Sequence, residues 1–219
     1  MRIHTKSIKA RRGVAVMEFT FSLLFLIPLL TGILVFGFKL IRSLEMTQVT
    51  RDLGAMYLRA VDFRSAGAQT TAATLAANFD MTANGTSVVV LSKVKLVTTA
   101  DCIAANAATP VVAGNNCTNL GKLVFVEQLK VGNPTAGSSA FGTPPVQAAG
   151  CTPLGPGTPC IYTVTIKDQG RTASAQANNF AMTLLAGEYA YVAEMVNLTN
   201  EFTIPGVGGG PQVYARAIF

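Results

Sequence analysis

From Phe19 to Phe38 the chain runs for twenty residues without a charge. As a helix this stretch is about 30 Å long, one bilayer hydrocarbon thickness. That length constrains the N-terminal part of the chain to be helical. Glu18 stands at its mouth, five residues after Gly13, with Arg11 and Arg12 just behind. An ionisable group inside such a run is costly and points to a partner or a function by default. Pro28 lies mid-run and is expected to kink the helix, which a membrane helix tolerates better than a soluble one. Gly32 and Gly37 offer small surfaces for close helix packing, although a plain lipid-facing anchor needs neither.

The 219 residues leave room for one medium domain beside an anchor. Hydrophobic residues make up 50% and charged residues 13%, too apolar a balance for a disordered chain. Beyond the first forty positions the apolar residues are scattered and form no second span. The net charge of +6 is concentrated in Arg2, Lys6, Lys9, Arg11 and Arg12; without those five, about +1 remains from Gly13 onward. The basic cluster therefore reads as a positive-inside flank. No basic stripe interleaved with aromatics follows it, so nucleic acid is not an expected partner.

Cys102, Cys117, Cys151 and Cys160 all lie beyond the apolar run, and the sole histidine is His4. A Cys/His metal site is therefore not expected. An even set of cysteines on the far side of a positive-inside anchor points to an oxidising compartment. Of the three possible pairings, the local one is preferred: Cys102–Cys117 and Cys151–Cys160. A loop of about 15 residues closed in this way gains ~3 kcal/mol.

Past Lys39 and Arg42, the residues Met46, Val49, Leu53, Met56, Ala60 and Phe63 recur at three- and four-residue steps. This predicts that the helix continues and packs this stripe against the chain's own domain, ending near Ser65-Ala66-Gly67. Gly54 weakens the pattern slightly. Thr70 to Phe79 reads as a second helix. Strands are expected over Ser87–Thr98 (bent or interrupted near Ser92-Lys93), Lys122–Val131 (with a phase slip), Ile161–Lys167, Glu188–Leu198 and Gln212–Phe219. Thr99–Leu120 and Gly132–Pro159 read as loops, and Pro205–Pro211 as a hairpin-like excursion.

Catalytic constellations are sparse. A Ser/His/Asp triad lacks a histidine outside the first few residues, and the carboxylates, among them Asp168 and Glu188, are spread thinly. Gly206–Gly210 follows no βα unit and has no P-loop lysine. No cofactor and no enzymatic activity are expected.

The stretch Arg11 to Arg59 resembles the N-terminal region of TadE-like pseudopilins, minor pilins of the tight-adherence (Tad/Flp) type IV pilus system. The matching residues are Arg12-Gly13, Glu18-Phe19, the apolar run with its internal Pro28, Phe36-Gly37, Thr50-Arg51 and Arg59. Gly187-Glu188-Tyr189 and Val213–Ala217 have the look of that family's closing strands. The resemblance implies that a prepilin peptidase cuts between Gly13 and Val14, and that Glu18 and Phe19 serve subunit assembly. The new ammonium at Val14 of one subunit would meet Glu18 of a neighbour. Such a buried pair recovers its desolvation cost only with good geometry and serves registry as much as stability. The long Gly/Pro loops and the depth of Pro28 depart from the family pattern.

The expected fold is α+β and pilin-like: a long N-terminal membrane-embedded helix continuing into an extracytoplasmic domain with an antiparallel β-sheet. Its parts are a prepilin-type leader (1–13), a transmembrane and assembly helix (14–38), a helical stalk (39–79) and a β-rich domain with disulfide-pinned loops (80–219). Expected partners are the prepilin peptidase, other pilin subunits, the assembly platform and inner-membrane lipid. The expected location is the inner membrane, single-pass, with the N-terminus cytoplasmic and the domain periplasmic or extracellular; the pilus fibre is a further location. The rivals are a plain single-span envelope protein that binds a partner, a secreted protein cut near Val35-Phe36-Gly37, and an envelope enzyme working through scattered carboxylates.

Overall fold

The structure, a computed structural model, describes residues 9–63, 65–82, 84–107, 110–145, 160–180, 182–198 and 212–219, with backbone alone at 9–13, 160–163 and 212–213. The chain divides into two compact units, Met1–Arg42 and Ser43–Phe219. Helix α1 (Lys9–Leu58) contributes to both.

Within the first unit α1 is continuous and runs on through Pro28. The Thr20 and Thr31 hydroxyls donate to the carbonyls of Val16 and Ile27, each at 2.8 Å. These two threonine hydroxyls are thus satisfied inside the helix, as a hydrocarbon environment requires. The described part, from Val14, is long and apolar enough to cross a membrane. Lys9–Gly13, read as leader, already belongs to α1; alanine and arginine are good helix formers, and the helix extends back through them.

The second unit is α+β. Its five described strands are β1 (Ser87–Leu96), β2 (Leu123–Gly132), β3 (Cys160–Thr163), β4 (Tyr189–Leu198) and β5 (Gln212–Ile218), in the order β3-β2-β1-β4-β5. All four pairings are antiparallel. Central β1 is covered on both faces, which accounts for the unbroken apolar run Val88–Leu91. On one face, Val89, Leu91, Leu129, Val131, Ala193 and Met195 pack with Met46, Val49, Leu53 and Tyr57 of α1 and with Ala68 and Ala72 of α2 (Ala66–Leu75). Gly54 marks a close approach in this contact: a Cβ there would run into the Phe219 ring and come within 3.0 Å of Ala193. The opposite face is covered by chain without long helices. Val94, Phe125 and Val192 pack with Phe141, Val164 and Ala175 there, while Val88, Val90 and Val196 pack with Ala136.

Several expectations change in detail. The register of β1 against β2 shifts between Lys93 and Val94, where Val126 is the extra residue. This bulge is the bend and the phase slip read from the sequence, and it puts Phe125 and Leu129 on opposite faces. Helix α1 ends at Leu58, earlier than expected, with Ala60 left-handed at φ 60°. Ser65 does not end that helix but caps α2, its hydroxyl accepting from the Ala68 N–H. The strand expected over Ile161–Lys167 stops at Thr163, and α4 (Ile166–Arg171) follows. Here the Thr165 hydroxyl accepts from the Asp168 N–H at 3.1 Å, an N-cap that outweighs the alternation. The same device starts α3 (Thr99–Ala104) inside a stretch read as loop: Thr98 and Asp101 form a capping box.

Candidate functional site

In α1 the Gly13–Val14 peptide lies within the helix. Val14 is 60% and Phe25 73% exposed, and most large apolar side chains from Val14 to Leu44 are equally open. Glu18 is exposed among them and is the only charged residue between Val14 and Phe38. Val14 and Glu18, four residues apart, share one helical face and are separated by about 6 Å along the axis. Phe19 points about 100° further round. Of the expected processing and assembly residues, Val14 and Glu18 therefore share a face, while Gly13 and Phe19 lie on other sides of the helix.

Cys102 and Cys117 form a disulfide with Cα atoms 5.8 Å apart, both side chains fully buried. The bridge holds α3 to the turn before β2 and packs with Val97 and Val124. Asn119 extends the clamp, donating from Nδ2 to the carbonyls of Gln169 (2.8 Å) and Thr172 (2.9 Å). Cys160 contributes backbone to β3; its expected partner Cys151 and the Pro205–Pro211 excursion lie outside the described residues. Asp168 and Glu188, the carboxylates weighed for catalysis, serve local structure. Asp168 accepts from the hydroxyls of Thr165 (2.6 Å) and Thr172 (2.9 Å), and Glu188 accepts from the Leu185 N–H (2.9 Å).

A groove of about 230 Å³ opens where α1 stops covering the sheet. Tyr57 and the Ala60–Phe63 turn form one wall; Lys93, Glu127, Leu129 and Tyr191 form the other. Lys93 on β1 faces Glu127 of β2 and Tyr191 of β4 in register. Its ammonium lies 4.2 Å from the Tyr189 ring centre and 5.4 Å from that of Tyr191, within cation–π range. Tyr57 meets Tyr191 edge-on at 5.5 Å.

On the opposite face a buried polar set holds a strap of chain against the sheet. Glu194, fully buried, accepts through Oε1 from the Ala140 N–H (2.9 Å) and the Tyr214 hydroxyl (2.5 Å). Burial, the bond to Glu194 and its charge push the Tyr214 pKa well up, against the opposing influence of Arg216. Lys130 donates to the carbonyls of Pro134 (3.2 Å) and Gly137 (3.0 Å), and burial holds its pKa below the ordinary lysine range. These groups position backbone.

The reading from sequence missed the groove. The available signal was periodic: Lys93, Glu127 and Tyr191 continue the face that is otherwise Val89/Leu91, Leu129/Val131 and Ala193/Met195. Polar residues continuing an apolar period-two face mark where its cover ends. No protein-family model matches the chain, and no curated protein or solved structure matches it.

Proposed function

We propose that this chain is a TadE-like minor pilin, cut between Gly13 and Val14 by a prepilin peptidase and taking part in assembly or capping of a Tad-type pilus in surface adhesion. It has no chemistry of its own. The observation that carries this reading is the uncovered apolar stretch of α1 with a single charge, Glu18, one turn after Val14 on the same face. After cleavage, the Val14 ammonium of one subunit neutralises Glu18 of the next inside a helical bundle, with apolar side chains such as Phe19 and Phe25 packing around the pair. Arg11 and Arg12 hold the precursor's N-terminus on the cytoplasmic face. The domain then stands outside the inner membrane, where the Cys102–Cys117 disulfide is at home.

The groove favours a second reading, a single-span envelope binding protein that keeps its first thirteen residues and holds Glu18 at headgroup level. Mass spectrometry of the N-terminus from membrane and sheared-surface fractions separates the two. The pilin reading expects a chain beginning at Val14, and Glu18→Ala then impairs piliation. An intact Met1 in cells with an active prepilin peptidase sinks it.

A further inference from the structure

We propose that Asn84 is a deamidation site, and that a clamp formed by Asp80 and Asn133 on the following peptide keeps it unreacted while the start of β1 stays closed. The chemistry is intrinsic to the pair. Asn84-Gly85 is the one asparagine–glycine step in the sequence, and glycine, having no Cβ, leaves the approach to its nitrogen least hindered. The Gly85 nitrogen attacks Cγ of Asn84, the new C–N bond closes a five-membered imide, and the Cγ–Nδ2 bond breaks. The Gly85 amide proton leaves with the side-chain nitrogen as ammonia. Water then opens the ring at one carbonyl or the other, giving isoaspartate or aspartate.

The fold supplies both access and restraint. Asn84 is exposed in the turn before β1, whereas Gly85 is buried. The Gly85 N–H, whose proton must leave, donates to the Thr82 carbonyl at 3.0 Å. The Gly85 carbonyl accepts from Asn133 Nδ2 at 2.6 Å. A Cβ at Gly85 would overlap the Asp80 carbonyl and carboxylate, so the Gly85 Cα is seated against that residue. The carboxylate accepts from the Thr82 hydroxyl (2.7 Å) and N–H (3.1 Å), bonds that hold its pKa below the ordinary range. A fixed negative charge beside the attacking nitrogen opposes loss of its proton. Asn133, just past β2, is itself anchored: its N–H donates to the Ser87 carbonyl (2.9 Å), and its Oδ1 accepts from the Thr135 hydroxyl (2.7 Å). The Ser87 N–H in turn donates to the Asp80 carbonyl (2.9 Å). Reaction therefore waits on local opening of the β1 entry, and loss of ammonia records that opening as a permanent added charge. The assignment is independent of whether the N-terminus is processed.

The test is peptide mapping by mass spectrometry of the detergent-solubilised full chain, held in mildly alkaline buffer either folded or denatured in urea. Conversion is read from the mass gain of the peptide that carries Asn84, with aspartate and isoaspartate separated by chromatography. In urea Asn84 is expected to convert ahead of every other asparagine, and in the folded chain it should lag far behind that rate. Asn133→Ala should speed conversion in the folded chain about fivefold and leave the rate in urea unchanged, with an unaltered circular dichroism spectrum. Should Asn133→Ala fail to fold, Asp80→Asn carries the same expectation of faster conversion in the folded chain. Absence of conversion in urea overturns the site, and a folded chain that converts as fast as the denatured one overturns the clamp. Folded-state rates unchanged in both variants overturn the clamp as well.

Discussion

Helix α1 uses similar residues for opposite purposes along its length. Between Val14 and Leu44 its leucines, isoleucines and phenylalanines, half-buried Leu23 apart, are exposed, whereas Met46, Val49, Leu53 and Tyr57 form one buried stripe. What differs is the distribution of polar residues. The first stretch has no charge from Phe19 to Phe38, so no face is singled out there. The second intersperses Gln48, Arg51 and Asp52, which leaves a single apolar face for the sheet. Apolar content alone does not predict burial; the polar positions between decide whether a helix has an inside.

Leu53→Ala tests this division most severely. Leu53 is fully buried in the core shared by α1, α2 and the sheet, so the change should cost about 2–5 kcal/mol. At roughly 2–4 °C per kcal/mol for a domain of this size, calorimetry should show a melting temperature lower by about 5–15 °C. Leu24→Ala removes the same atoms from the exposed stretch and should leave that transition in place. Equal losses from the two substitutions would mean that the two stretches are not energetically distinct.

Much of this division was legible in the sequence. The stripe from Met46 to Leu53 and the phase slip in β2 followed from periodicity, because each reflects which side chains meet water. Short capped elements were less legible. Thr98 and Thr165, each three residues before an aspartate, start helices that strand alternation and loop composition concealed. The groove was hidden for another reason. Lys93, Glu127 and Tyr191 are far apart in sequence and meet only through the β2-β1-β4 order, which no local pattern encodes. The C-terminal Phe219 against Gly54 belongs to the same class: a glycine read as a weak helix residue is a point of close approach.

Glu18→Leu sharpens the comparison from the exposed side. A carboxylate at the centre of a spanning helix costs roughly 2.5–3.5 kcal/mol on insertion scales, and less near its end. The substitution should raise the inserted fraction in a translocation assay and leave the melting of the domain unchanged. Gly54→Ala works from the buried side with a smaller effect. Alanine gains about 1 kcal/mol of helix propensity, but its methyl meets Phe219 and Ala193, an overpacking cost of about 1–3 kcal/mol. A net loss of about 1 kcal/mol is expected by chemical denaturation, and Gly54→Ala combined with Phe219→Ala should recover part of it. A stabilised single variant would show that the contact with Phe219 yields freely.

The smallest effect separates α1 from the short helices. A fifty-residue helix holds itself through its length, with no acidic residue in its first turn, whereas six-residue α3 depends on its end. Asp101 accepts from the Thr98 N–H and hydroxyl, each at 2.8 Å, and pairs with Lys95 at 2.7 Å. Burial acts to raise its pKa, but the hydrogen bonds from Lys95 and Thr98 and the lysine charge outweigh it and hold the value below 3.8. The folded value is the lower one, so this contribution is present above about pH 4 and is lost as the pH falls through the folded pKa. Because the group is partly open to solvent, the loss should stay under about 1 kcal/mol. Carboxyl-detected NMR should show Asp101 titrating below the ordinary aspartate range, and Lys95→Met should move its midpoint upward. A midpoint at the ordinary value in the unaltered chain would mean that α3 is held by its disulfide and packing, with the capping box contributing nothing measurable.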